Sequence, residues 1–203
     1  MLWGSALELN SVSNVVDSVD PGVLGRLVKA KIIVVFAMAM FWALPATAVD
    51  TGGTAPSWQA TKFDGQSVSF PKFVRGKPTV IIFWATWCSY CKAFMPYLKA
   101  IQQEYGADSI EIIAVNTREE EGGDSDPDAY IKNIGFPLTA IRKGDDIAAA
   151  YGVKGMPGLM VVGGDGTVTY RRAMTRLPAG KTVAELWDTQ VRAALDKEFK
   201  DGC

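Results

Sequence analysis

Apolar positions along this chain follow two periods, and the switches between them mark out its elements. Thr79-Val80-Ile81-Ile82-Phe83-Trp84 is a continuous, β-branched-rich run of strand length after the turn Gly76-Lys77-Pro78. Such a run predicts a central strand buried on both faces. Ile110–Asn116 predicts a second buried strand. Between them Phe94, Met95, Leu98, Ile101, Gln102 and Tyr105 follow a helical pattern and predict a helix over Cys91–Tyr105. Pro96 lies early in it and is expected to kink it. Upstream, Trp58–Phe63 and Gln66–Phe70 flank Asp64-Gly65, which signals a β-hairpin.

Downstream, the pattern predicts a helix over Asp128–Ile134, a short strand over Pro137–Ile141 and a short helix over Asp145–Tyr151. Strands at Leu159–Val162 and Thr167–Arg171 are joined by the turn Gly163-Gly164-Asp165-Gly166. A last helix, Thr182–Phe199, places Val183, Leu186, Trp187, Val191 and Leu195 on one face. Crossovers followed by a closing hairpin define an α/β class: a central mixed β-sheet flanked by helices, with an N-terminal β-hairpin extension. The domain is expected over 58–199, between a Gly/Thr/Pro-rich linker at 49–57 and a flexible tail at 200–203. The acidic stretch Glu119–Pro127 reads as a solvated surface loop.

Ahead of the domain the pattern changes. Arg26, Lys29 and Lys31 precede the unbroken 13-residue apolar run Ile32–Leu44, then Pro45 and Ala46-Thr47-Ala48. A basic region, a short apolar core and an A-x-A site read as a secretory signal peptide cleaved after Ala48. The run is well short of the ~20 residues of a spanning helix; an uncleaved membrane anchor is the alternative. Residues 1–25 carry Glu8, Asp17 and Asp20 and no Lys or Arg, unlike a signal n-region. They point to a start further along, with Val23 or Val28 matching a non-Met codon. The domain is therefore expected in a periplasmic or other extracytoplasmic compartment, secreted or anchored to the inner membrane.

Composition narrows the chemistry. A net charge of −1 with no basic cluster argues against a nucleic-acid surface. The absence of histidine removes Ser-His-Asp and Cys-His catalysis and any histidine metal site. What remains is Cys88-Ser89-Tyr90-Cys91, placed where the central strand gives way to the helix. Cys88 then lies at the helix N-terminus and Cys91 one turn inside. Unpaired N–H groups and the positive end of the helix dipole favour a thiolate there, the attacking species in dithiol–disulfide exchange. Cys91 is positioned to resolve the mixed disulfide. A structural zinc site needs about four N/S ligands, whereas the chain has three cysteines and no histidine. A purely structural disulfide remains the alternative, although so short a loop stabilises little through chain entropy. Cys203 is odd in number and fits adventitious dimerisation better than catalysis.

Phe83-Trp84-Ala85-Thr86-Trp87-Cys88-x-x-Cys91, followed by Met95-Pro96, resembles the active-site motif of the thioredoxin superfamily. More narrowly it resembles the TlpA/ResA-like (CcmG-like) extracytoplasmic thiol–disulfide oxidoreductases. Tyr151-Gly152-Val153-Lys154-Gly155-Met156-Pro157, then Asp165-Gly166 and Tyr170-Arg171-Arg172, form a second matching block, and the likeness covers about residues 57–198. The resemblance implies the thioredoxin fold. It implies that Cys88 is the exposed nucleophile, Cys91 the buried resolving cysteine and Pro157 a cis-proline against the Cys88–Cys91 disulfide. Met156 would offer its backbone to an incoming substrate strand, with Trp87, Ser89 and Tyr90 on the substrate-contact surface. Trp84, on the strand, belongs to the core.

Two acids of the wider family are absent. The buried Asp of thioredoxins is replaced by Ile82, and a Glu common three residues after the second cysteine is replaced by Phe94. This bears on rate and pH profile, not on reaction type. No cofactor beyond the redox-active disulfide and no metal is implied. The implied activity is reduction of protein disulfides, such as those of apocytochrome c or copper-site proteins, by a monomer recharged from a membrane electron donor. A copper chaperone using Cys88, Cys91 and Met156 as soft ligands is the alternative. A binding or chaperone module of the same fold, with incidental thiol chemistry, is a third.

Overall fold

The structure, a computed structural model, describes residues 49–121, 126–173 and 176–201. The expected leader within 1–48, its alternative starts and Cys203 lie outside the described residues. In chain order the elements are β1 (Trp58–Thr61), β2 (Ser67–Phe70), a 3-10 turn (Lys72–Val74), β3 (Thr79–Trp84), α1 (Ser89–Tyr105) and β4 (Glu111–Asn116). A 3-10 turn (Glu119–Glu121), α2 (Pro127–Lys132), β5 (Thr139–Ile141) and α3 (Asp145–Ala150) follow. β6 (Gly158–Val162), β7 (Val168–Arg171) and α4 (Val183–Asp201) complete the chain.

The central sheet has the order β5-β4-β3-β6-β7, and β1-β2 is a separate hairpin. β3, β4 and β5 run parallel, while β6 is antiparallel to β3 and β7 to β6. All six residues of β3 are buried, which is why its sequence is continuously rather than alternately apolar. Val80, Ile82 and Trp84 point to a core shared with Leu98 and Ile101 of α1 and Trp187, Val191 and Leu195 of α4. Ile81 and Phe83 point the other way, to Phe70, Val74, Ile147 and Tyr151. Each such apolar side chain contributes about 1.5–3 kcal/mol on burial. One face of the sheet thus carries α1 and α4, the other the hairpin and α3.

Two expectations need correction. The segment 49–57 is folded onto the sheet rather than free as a linker. Gly52 N–H donates to the Val168 carbonyl at 2.8 Å, Val168 N–H to Gly53 at 2.9 Å and Ala55 N–H to Gly166 at 2.9 Å. Ala55 is the one buried apolar side chain of this stretch in the core, so its sequence shows no hydrophobic period to betray the pairing. Helix α1 also begins earlier than Cys91, because Cys88 itself is its N-cap. Cis peptide bonds occur at Met156–Pro157 and at Phe70–Pro71.

Candidate active site

The C-terminal end of β3 delivers Trp84 and Ala85 into a short loop, and Cys88 closes that loop as the cap of α1. Cys88 N–H donates to the Ala85 carbonyl at 3.1 Å, while the Cys88 carbonyl accepts from Lys92 N–H at 3.1 Å. Its sulfur accepts from the backbone N–H of Cys91 at 3.1 Å. The Cys88 sulfur therefore takes the place that a Ser or Asp oxygen fills at an ordinary N-cap. No acidic residue lies in the first turn of α1, so nothing there offsets the positive end of the helix dipole. Cys88 and Cys91 are joined by a disulfide with Cα atoms 5.2 Å apart. Cys88 keeps 4% of its surface and Cys91 none. The cysteine expected to be exposed is thus mostly covered in this oxidised state, but the residual opening is at Cys88.

The loop is held by Trp87 and by residues that the sequence did not assign to the site. Thr86 N–H donates to a Glu119 carboxylate oxygen at 2.9 Å, and the Thr86 hydroxyl donates to the other. The Asn116 side-chain amide donates to the same carboxylate. Glu119, expected in a solvated acidic loop, instead ties the cysteine loop to the end of β4. The Trp87 indole N–H donates to the Arg118 carbonyl at 2.6 Å. Arg118 has a φ of 56°, a left-handed conformation uncommon outside glycine. Asp145 holds it there by accepting from Arg118 N–H at 2.9 Å and from the Thr117 hydroxyl at 2.6 Å. Trp87 is half-buried, with its polar edge committed inward, and leaves only part of its ring for a substrate. The remainder of the acidic stretch, 122–125, lies outside the described residues.

Register brings the second block to the same place. Phe83 pairs with Gly158 across β3 and β6, so Met156 and Pro157 lie beside the end of β3 that leads to Cys88. Met156 is half-buried and packs against the core cluster that contains both cysteines. Ser89 and Tyr90 are exposed, Tyr90 with 59% of its surface free. The Tyr90 ring sits edge-on to Trp187, with centroids 6.4 Å apart. At the positions of the family acids, Ile82 and Phe94 are fully buried, and Phe94 packs against Trp187 and Tyr97. Lys92, the nearest cation in sequence, carries its ammonium 5.9 Å from the Tyr130 ring centroid. Among the described residues, no three His, Cys, Asp or Glu side chains converge as a metal site would require. No described helix is long and apolar enough to cross a membrane.

A cysteine pair at the N-terminus of a helix that follows the central strand, on a mixed sheet of this order, defines a thiol–disulfide oxidoreductase of the thioredoxin fold. The comparisons agree. Residues 51–171 match the AhpC/TSA family, and the chain belongs to that family. It is 32% identical over 126 residues to the thiol-disulfide oxidoreductase ResA of Bacillus thuringiensis subsp. konkukian, covering 59% of this chain and 68% of that protein. Among solved structures it is similar to one assigned as the thiol:disulfide interchange protein DsbE of Chlorobium tepidum. That likeness has 27% identity and a TM-score of 0.58 over 73% of this chain and 99% of the other. A conserved protein from Geobacillus kaustophilus shares the fold at a TM-score of 0.63 and 21% identity, over 76% and 85% of the two chains.

Proposed function

We propose that this protein reduces disulfides of other proteins outside the cytoplasm, with Cys88 as nucleophile and Cys91 as resolving thiol. The observation that carries the reading is the placement of the pair. Cys88 caps α1 and holds the only residual exposure, while Cys91 is sealed one turn inside. In the dithiol form, the Cys88 thiolate attacks one sulfur of a substrate disulfide. A mixed disulfide forms and the other substrate sulfur leaves as a thiolate that takes up a proton. Cys91 then loses its proton and attacks Cys88 Sγ. The second substrate thiol is released, two electrons have passed to the substrate, and Cys88–Cys91 is left as the disulfide. A membrane dithiol carrier would return the enzyme to its reduced form.

Met156, ahead of Pro157, offers backbone groups to the substrate strand, and Trp87, Ser89 and Tyr90 border the attacked sulfur. The reducing direction is supported by the modest aids to a thiolate: the helix terminus, and one lysine, Lys92, whose ammonium lies 5.9 Å from the Tyr130 ring centroid. A strong oxidant requires a far more stabilised thiolate. Cysteines of apocytochrome c or of a copper-site protein are the proposed targets, and the protein acts as a monomer. The basic region, short apolar run and A-x-A site over 26–48 support an extracytoplasmic site of action, whether as a cleaved signal peptide or an anchor.

Reduced protein should cleave the interchain disulfides of insulin. Cys88→Ser should abolish this, while Cys91→Ser should accumulate mixed disulfides with extracytoplasmic proteins. Insulin left intact by the reduced wild type, or mixed disulfides trapped by Cys88→Ser instead, would overturn the assignment. Copper retained by protein purified in the reduced state, with no insulin cleavage, would put the chaperone reading in its place.

A further inference from the structure

Two arginines follow one another at the end of β7, and they are used very differently. Arg171 is committed to the protein itself: its guanidinium donates to the carbonyls of Val49 at 2.9 Å, Tyr151 at 2.7 Å and Gly152 at 2.8 Å. Arg172 is not. It makes one 3.3 Å contact with the Gly155 carbonyl, and its Nε is buried without a hydrogen-bond partner. Among the described residues no carboxylate forms an ion pair with it. Burial lowers its pKa from the ordinary guanidinium value. A half-buried cation with unused donors is costly, and a chain that keeps one is prepared for an anion that arrives from outside.

The place of this cation gives it a purpose. Its guanidinium carbon lies 5.4 Å from the centroid of the Trp187 ring, the same ring that Tyr90 meets at 6.4 Å. One indole therefore separates Arg172 from the dipeptide between the two cysteines. Arg172 also lines a groove of about 490 Å³ with Lys154, Gly155 and Gly158, directly after Met156 and Pro157. Asp50, the one acid lining the groove, makes no ion pair with Arg172. Gly155 and Gly158 of the groove flank Met156 and Pro157 in sequence, so a polypeptide that bonds the Met156 backbone lies next to its rim.

Resting on the proposed disulfide exchange, we infer that Arg172 is a specificity-determining residue: it pairs with an acidic side chain flanking the substrate cysteine. The Nη edge of the guanidinium presents charged donors that a carboxylate accepts from, while Trp187 stacks against the group. The preferred substrates are protein disulfides with Asp or Glu close to the reactive cysteine.

The test uses three disulfide-linked peptides that differ only beside the cysteine, carrying Glu, Gln or Lys, and reads kcat/KM with the reduced protein. Wild type should favour the Glu peptide over the Gln peptide by about tenfold, as expected for a charge-assisted pair, and should disfavour the Lys peptide. Arg172→Gln should bring the Glu:Gln ratio to about one, Arg172→Lys should keep part of it, and Arg172→Glu should invert the preference toward Lys. Each ratio is taken within one preparation, so loss of folded protein does not move it. A Glu:Gln ratio near one in wild type, or a preference that survives Arg172→Gln, overturns the inference while leaving the exchange reaction standing. A wild type that exchanges with none of the peptides would remove the functional reading and this inference together.

Discussion

Glu119 clasps the cysteine loop from outside the cysteine motif. Its carboxylate accepts from the Thr86 amide, the Thr86 hydroxyl and the Asn116 amide, so it fixes the loop that aims Cys88. Truncation would leave three donors without a partner in a region where Thr86 and Asn116 are both buried. Glu119→Ala should therefore cost about 2 kcal/mol of stability and slow insulin reduction, whereas Glu119→Gln should recover part of both. Urea unfolding and initial rates measured on the same preparations check this; a Glu119→Ala protein with wild-type stability would show that the clasp carries no energy. The sequence could not reveal this residue. Glu119 stands at the head of an acidic stretch whose composition reads as solvated, and its partners lie 33 positions away in the case of Thr86. The cysteines, by contrast, were legible because their chemistry is local: a strand, a cap and one helical turn.

Elements were legible where the period was long and local. β3 occupies Thr79–Trp84 as expected, and α4 starts within one residue of the position expected for it. The start of α4 has a physical signature in Thr182-x-x-Glu185. Glu185 N–H donates to the Thr182 hydroxyl at 3.2 Å, and Thr182 N–H donates back to the Glu185 carboxylate at 2.6 Å. This is a capping box, and α4 matters to the site because it presents Trp187 beneath Tyr90 and Arg172. Thr182→Ala should cost about 1 kcal/mol and lower Tm by about 2–4 °C, with the Tyr90–Trp187 contact retained. A calorimetric scan that shows no change would mean that packing of Trp187, Val191 and Leu195 alone sets the helix start. The segment 49–57 was not legible as structure, since its bonds to Gly166 and Val168 are made by backbone, which carries no sequence pattern. The boundaries of the short helices α2 and α3 shifted by a residue or two for a related reason, having too few turns for a period to fix their ends.

At the scale of the whole molecule, the sheet is sealed on both faces; Tyr151 is sealed with it, and Tyr105, Tyr130 and Tyr170 are half-buried. Tyr151 is fully buried under β3 and donates to the Pro56 carbonyl at 2.9 Å; Tyr170 bonds Gln190 at 2.9 Å. Burial pushes Tyr170 up to about 12 and raises Tyr130 and Tyr151 as well. Desolvation also raises Tyr105, helped by its hydrogen bond to Asp196. The sign follows from proton counts. An unfolded phenol ionises near its ordinary value of about 10, while the folded one holds its proton to higher pH, so above about pH 10 the native state binds more protons and stability falls. The contribution is complete below pH 10 and disappears as pH rises through about 12 for Tyr170 and higher for Tyr151. Urea midpoints should therefore be flat from neutral pH to about 9 and then drop steeply. Tyr151→Phe separates this from general alkaline lability. At neutral pH it should be less stable by about 1 kcal/mol, having lost the bond to Pro56, yet it should lose less between pH 9 and 12 than the wild type does, because no buried phenol remains there to ionise on unfolding. Parallel curves for the two proteins would show that Tyr151 reaches water in the native state, and the seal over the hairpin face of the sheet would have to be abandoned.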